Sequence, residues 1–270
     1  MAADAWLSLY HRMPAWMREV AASAHGWRLE RWRYGRETER LVEEALERES
    51  WTEEQWRRWQ EERVARLLDR AARQVPYYRS MWAERRVRGD QGSWERLENW
   101  PVLEKEALRR EPEAFVAEDC DRRRMVEEHT SGTSGTPLKL WQSRKTLRAW
   151  YALFEARWRR WHGVSRRDRW AILGGQLVAP VAQRQPPFWV RNWPMRQLYL
   201  SSYHLAPEFM PEYVEALRRF RPAYLWGYSS ALYALALEWR RLGVRDLRLR
   251  VVLTNAEPLF AYQREAMEAV

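Results

Sequence analysis

Cysteine is nearly missing from this chain: Cys120 stands alone. An internal disulfide needs two thiols and structural zinc needs a cluster of ligands, so neither staples the fold. Lysine is almost as scarce, with Lys105, Lys139 and Lys145 carrying all of it; the positive charge is arginine. No apolar stretch of about 18 residues occurs, which leaves no candidate for a bilayer-crossing helix. The N-terminus carries Asp4 and lacks a basic segment followed by an apolar core and a cleavage site, so it does not read as a secretory signal. Low-complexity runs are lacking too. A cytoplasmic globular protein is the expectation.

What is present is size, arginine and tryptophan. The 270 residues are 46% hydrophobic and include 19 tryptophans, enough for one large domain or two small ones. A net charge of +10 and a pI near 10.0 invite a nucleic-acid reading. The arginines, however, are spread along the chain and mixed with glutamates, as on solvated helix faces. No specific nucleic-acid partner is expected. The Trp-Arg pairs Trp56-Arg57-Arg58-Trp59 and Trp158-Arg159-Arg160-Trp161 leave two readings open. They are stacking platforms for single strands, or core tryptophans with arginines snorkelling beside them, and helical spacing favours the core.

The most informative segment is Thr130-Ser131-Gly132-Thr133-Ser134-Gly135-Thr136-Pro137-Leu138-Lys139. Its glycines let successive backbone N–H groups turn toward an anion, its hydroxyls add donors, and Lys139 adds a mobile charge. A plain polar surface loop is the alternative. The closing Pro137-Leu138-Lys139, running straight into Leu140-Trp141, favours phosphate handling. A Walker A loop is disfavoured: the glycines are too close together, Lys139 does not follow a glycine, and Pro137 intervenes. The flanks 125–128 and 138–142 read as two strands joined by this loop.

Residues 1–115 read as a helical N-terminal region and 116–270 as an α/β nucleotide-binding part. Apolar residues from Trp6 to Val20 recur at helical intervals, broken at Pro14. The run from Glu37 to Ala72 is rich in helix formers and ends at Val75-Pro76. Beyond the loop the pattern predicts a helix over 143–162 opening on Ser143, then a strand at 169–173. A Pro/Gln-rich excursion follows at 179–194 and a strand at 196–201. A helix at 207–220, a strand at 223–226 and a helix at 229–242 come next, with a strand at 249–254 and a helix from 259. Such alternation implies a parallel sheet faced by helices, with ligands at the strand carboxyl ends. Gly227-Tyr228-Ser229 and Asn255-Ala256-Glu257-Pro258 fall at those ends.

The Thr-Ser-Gly-Thr-Ser-Gly-Thr-Pro-Leu-Lys string resembles the phosphate loop of the adenylate-forming (acyl-CoA synthetase) superfamily. Val75-Pro76-Tyr77-Tyr78-Arg79, Trp100-Pro101-Val102-Leu103, Tyr199-Leu200-Ser201-Ser202-Tyr203-His204, Gly227-Tyr228-Ser229-Ser230 and Asn255-Ala256-Glu257-Pro258 narrow it. They are similar to the phenylacetate–CoA ligase-like branch and its capsular-polysaccharide-biosynthesis members, over essentially residues 10–270. The resemblance implies an α/β adenylation domain that turns a carboxylic acid into an acyl-adenylate with ATP and Mg2+, with coenzyme A as acceptor. It assigns the β- and γ-phosphates to Thr130, Ser131, Gly132, Thr133, Ser134, Gly135, Thr136 and Lys139, with Lys139 and Thr133 as catalytic candidates. It assigns adenine to Asn255, Ala256, Glu257 and Pro258, and the acyl pocket to Trp226, Gly227 and Tyr228. Many relatives carry glycine where Asn255 stands.

Two of these segments also have purely structural readings: Pro258 as the first residue of a helix, and Trp226 and Tyr228 as strand-end core. The resemblance further implies that the usual magnesium-holding glutamate and a small C-terminal domain lie beyond residue 270, so the chain reads as truncated. Two other classes stay open. One is a non-catalytic homologue acting in capsular or exopolysaccharide assembly. The other is a basic surface module, for which the Trp- and Arg-rich first segment suggests peripheral membrane contact.

Overall fold

Prolines and capping side chains cut the N-terminal half into short helices. The structure is a computed structural model and describes all residues except Met1, Gln91 and 131–136. Helices α1 (Ala2–Arg12) and α2 (Ala15–Arg33) are separated at Pro14, whose extended ψ of 157° cannot continue a helix. The single helical run expected from Glu37 to Ala72 is in fact two. Helix α3 (Arg36–Glu47) gives way to a 3-10 turn, and α4 (Glu53–Gln74) restarts at Thr52. Thr52 accepts from the Gln55 backbone N–H while the Gln55 side chain accepts from Thr52 N–H, a reciprocal box that formation of a new helix end requires. Helices α5 (Pro76–Val87) and α6 (Lys105–Arg110) complete the region.

The later elements are β1 (Val126–His129), β2 (Lys139–Gln142), α7 (Arg144–Phe154), β3 (Trp170–Gly174), β4 (Trp189–Asn192), β5 (Gln197–Ser201), α8 (Met210–Phe220), β6 (Tyr224–Tyr228), α9 (Ser229–Arg241), β7 (Val251–Asn255) and α10 (Ala261–Glu268). Strands β1 and β2 form an antiparallel hairpin. The other five form one sheet in the order β4-β5-β3-β6-β7, parallel except for β4, which runs antiparallel along β5. Strand β4 was not expected: Pro and Gln dominate its surroundings, and only pairing with β5 makes it a strand.

The chain divides into two compact units, one of residues 1–42 and 152–270, the other of 43–151. This division does not coincide with a boundary at 115/116, because α2 packs on β4 and so joins the sheet. In the first unit Ala171, Leu173, Leu198, Leu200 and Leu225 meet α8 and α9 through Tyr213, Val214, Leu217, Leu232 and Leu235. The opposite face carries Trp170, Tyr224 and Trp226 on one side and Tyr199, Val190 and Ala22 on the other. Both faces are covered, which is why β3 and β5 read as continuous apolar runs.

Residues 155–159 continue α7 as a π-turn, and this turn brings a charged pair inside. Arg159 donates to Glu155 at 3.0 Å, with both side chains 2% exposed. Glu155 also accepts from the Arg166 backbone N–H at 3.2 Å. The Arg159 guanidinium lies 4.8 Å from the Phe154 ring centre and 4.9 Å from that of Trp170. A buried charge survives here because it has both a counter-ion and aromatic faces.

In the second unit, Trp82 is fully buried against Trp100, and Tyr77 stacks on Phe115 at 4.3 Å. The Val75-Pro76-Tyr77-Tyr78-Arg79 segment therefore builds a helix junction: Val75 ends α4, Pro76 opens α5, and Arg79 binds Glu118 through its two terminal guanidinium nitrogens.

The tryptophans of the Trp-Arg pairs differ in burial. Trp158 packs on Phe154 and Trp226, but Trp161 is 51% exposed. Trp56 and Trp59 form a half-buried edge-to-face cluster with Trp51.

Candidate functional site

The hairpin β1–β2 presents the loop. Thr130 and Leu138 close its neck: Thr130 N–H donates to the Leu138 carbonyl at 3.1 Å, and Leu138 N–H donates to the Thr130 hydroxyl at 2.9 Å. The Thr130 oxygen is thus occupied while its O–H remains a donor. Ser131, Gly132, Thr133, Ser134, Gly135 and Thr136 lie outside the described residues.

Lys139 opens β2 opposite His129. Its ammonium sits 3.0 Å from Glu127 and 4.8 Å from the Trp141 ring centre. The hydrogen bond from Lys139, helped by His129, holds the Glu127 carboxyl below its ordinary range. Arg122 lies 5.2 Å from the centre of the same Trp141 ring and pairs with Glu113. A cationic lysine with an exposed carboxylate partner is a group that can exchange that partner for an anion of higher charge.

The strand-end candidates lie in the first unit. Asn255 is the last residue of β7, paired with Tyr228 of β6. Ala256 adopts a left-handed φ of 62°, a conformation that a residue with a Cβ resists and that turns the chain sharply. Glu257 then reaches back to α9, its carboxylate accepting from Ser230 N–H at 2.8 Å and its carbonyl from the Ser229 hydroxyl at 3.4 Å. A carboxylate at this helix N-terminus satisfies a free donor and complements the dipole. Pro258 is not the first residue of a helix, since α10 begins at Ala261. The segment 255–258 is therefore a bend between a strand and a helix, with Ala256, Glu257 and Pro258 exposed.

Trp226 and Tyr228 share β6 but serve different places. Trp226 stacks in the ring group of Phe154, Trp158 and Trp170, and its indole N–H has no hydrogen-bond partner among the described residues. Gly227 is sterically required, because a Cβ there would stand 2.8 Å from the Leu173 carbonyl oxygen. Tyr228 approaches Gly175, where an added Cβ would meet its hydroxyl at 3.2 Å.

A group that sequence reasoning missed gathers at the same strand ends. Gly174 ends β3 and Gly175 follows it, and the pair admits the hydroxyls of Tyr199, Tyr203 and Tyr228. Tyr199 accepts from Gln176 N–H at 3.2 Å, and burial pushes its phenol up to about 12. A glycine pair directly after an apolar run is the sequence signal for such a place. His204 is buried and structural, bonded to Ser201 at 2.9 Å and to the Pro180 carbonyl at 3.0 Å. Among the described residues no cluster of His, Cys, Asp or Glu could hold a metal ion, and no helix is long and apolar enough to cross a membrane.

No protein-family profile matches the chain. It is similar to protein CapK of Staphylococcus aureus, a capsule-biosynthesis protein, with 21% identity over 213 residues. The match covers 77% of this chain and 46% of CapK, so the chain spans about half the length of that relative. The fold class is mixed α/β, and the similarity to CapK is a distant one.

Proposed function

We propose that this protein, in full length, is an adenylate-forming ligase that activates a carboxylic acid with ATP, with coenzyme A as acceptor. The observation that carries the reading is the hairpin: a ten-residue Ser/Thr/Gly/Lys segment closed by Thr130 and Leu138, with Lys139 heading the returning strand. In this reading the polyphosphate of ATP–Mg2+ is held by backbone N–H groups and hydroxyls of 130–136 and by Lys139, with Thr133 and Lys139 on the reacting phosphates. Adenine goes to the turn Asn255, Ala256, Glu257 and Pro258, and the acyl group to Trp226, Gly227 and Tyr228. The carboxylate attacks the α-phosphorus, the new O–P bond forms and pyrophosphate leaves. No protein nucleophile takes part, so catalysis is positioning and charge stabilisation. Glu127 gives up Lys139 when the anion arrives.

The test is ATP–pyrophosphate exchange by the full-length protein with aromatic, fatty and sugar acids. Lys139→Ala combined with Gly135→Ala is expected to lower exchange by about 100-fold or more, as loss of a transition-state donor does. Exchange with none of those acids would overturn the reading. The similarity to CapK supports a place in capsule biosynthesis, and a non-catalytic role in capsular polysaccharide assembly is the second reading. That role predicts ATP binding without pyrophosphate release.

A further inference from the structure

Helix α2 is inside out. The side it turns to the sheet carries Arg18, Ala22 and Gly26. Arg18 is 5% exposed and donates to the Val178 carbonyl and to Gln183, Ala22 joins the Val178–Val190–Tyr199 cluster, and Gly26 abuts Asn192. Its large apolar residues face outward instead: Trp16 is 67% exposed, Val20 61%, Trp27 55% and Met17 38%. At helical spacing 16, 20 and 27 form one stripe with 17 beside it. Exposed Trp193 stands next to it, its backbone N–H donating to Ser23 of α2. A surface helix ordinarily does the reverse, with apolar residues on the core.

The fully exposed charges near the stripe have one sign, and the half-buried Glu19 beside Val20 is the exception. Between residues 5 and 33 the exposed charged side chains are Arg12, Arg28 and Arg31. Glu30 is taken by Arg166, and Arg31 lies 4.6 Å over the Trp27 ring. Pairing this face with a second copy about a two-fold axis would set arginine against arginine. An anionic bilayer satisfies both features, since tryptophan settles at the headgroup boundary and arginine finds lipid phosphates there.

We propose that the outward stripe of α2 seats this protein on the surface of an anionic lipid bilayer, without crossing it. This is independent of the nucleotide reading and is measured without nucleotide. The full chain is sedimented at physiological salt with phosphatidylcholine vesicles, with and without phosphatidylglycerol. Expected is binding to the phosphatidylglycerol vesicles that falls about tenfold or more in Trp16→Gln/Trp27→Gln, with far-UV circular dichroism unchanged. Val20→Glu, one exposed side chain, is expected to do the same by bringing a negative charge to the lipid. No binding to either vesicle would overturn the proposal. So would binding that neither variant changes, which would mean diffuse basic charge alone. A concentration-dependent dimer abolished by both variants would overturn it in favour of self-association.

Discussion

In the proposed reading Lys139 exchanges its Glu127 partner for a phosphate. Their contact at 3.0 Å is half exposed, so water and salt screen it and the lysine stays exchangeable. Glu127→Gln removes the competitor while keeping the shape of the side chain. Tripolyphosphate or ATP is expected to bind a few-fold more tightly to that variant, and Lys139→Ala is expected to lose most of the binding; titration calorimetry reads both. Equal affinities in all three proteins would remove Lys139 from the phosphate site. Lys139 was identifiable from its neighbours in the chain, whereas its partner was not. Glu127 lies twelve residues away in sequence and meets it only through the hairpin register His129↔Lys139.

Elements show a sharper division between what pattern reveals and what packing adds. A glycine inside a helix, as at Gly26 of α2, ordinarily weakens it by about 1 kcal/mol relative to alanine. In the fold a Cβ there would fall 1.9 Å from the Asn192 side-chain oxygen, on a residue 7% exposed. Overpacking costs of about 1–3 kcal/mol outweigh the propensity gain. Gly26→Ala is therefore expected to destabilise the protein, and Gly26→Ala/Asn192→Ala to recover most of the loss; urea midpoints decide it. The π-turn after α7 makes a parallel point. Arg159→Met should cost up to about 3–5 kcal/mol by taking the nearest cation from the buried Glu155, which keeps only Arg160 at 3.7 Å and the Arg166 N–H, while the double change to methionine at 155 and 159 should be far milder. A penalty for the double variant as large as for the single one would mean that the arginine matters for packing alone.

For the molecule as a whole, a net charge of +10 and the carboxylates Glu30, Glu39 and Glu155 paired with Arg160 and Arg166 shape the response to pH. Burial would raise the Glu39 carboxyl, but hydrogen bonds from Arg166 and Arg160 outweigh it and hold it below its usual 4.5. The folded state thus binds this proton less readily than the unfolded chain. The stabilisation is complete above the unfolded value and is lost as pH falls through the lower folded one. Thermal midpoints are expected to be level from about pH 6 to 7 and to drop from about pH 5 downward. Glu39→Gln should be less stable at neutral pH and should flatten part of that acid slope. An unchanged slope would place the acid sensitivity at other carboxylates.

Sequence by itself determined what depends on near neighbours along the chain. It marked Pro14 and Val75-Pro76 as helix breaks, Ser143 as a cap that accepts from Thr146 N–H, and the strand–helix alternation after residue 165. Each follows from backbone chemistry within a few residues. Only the tertiary structure decided that 189–192 is a strand, that Glu257 caps α9, that Pro258 precedes rather than opens a helix, and that α2 turns its tryptophans outward. Periodicity shows that a helix has two faces, but the partner surface chooses which one is buried. Arg18 found carbonyls and Gly26 found Asn192 across more than 150 residues of chain, and those distant meetings set the orientation.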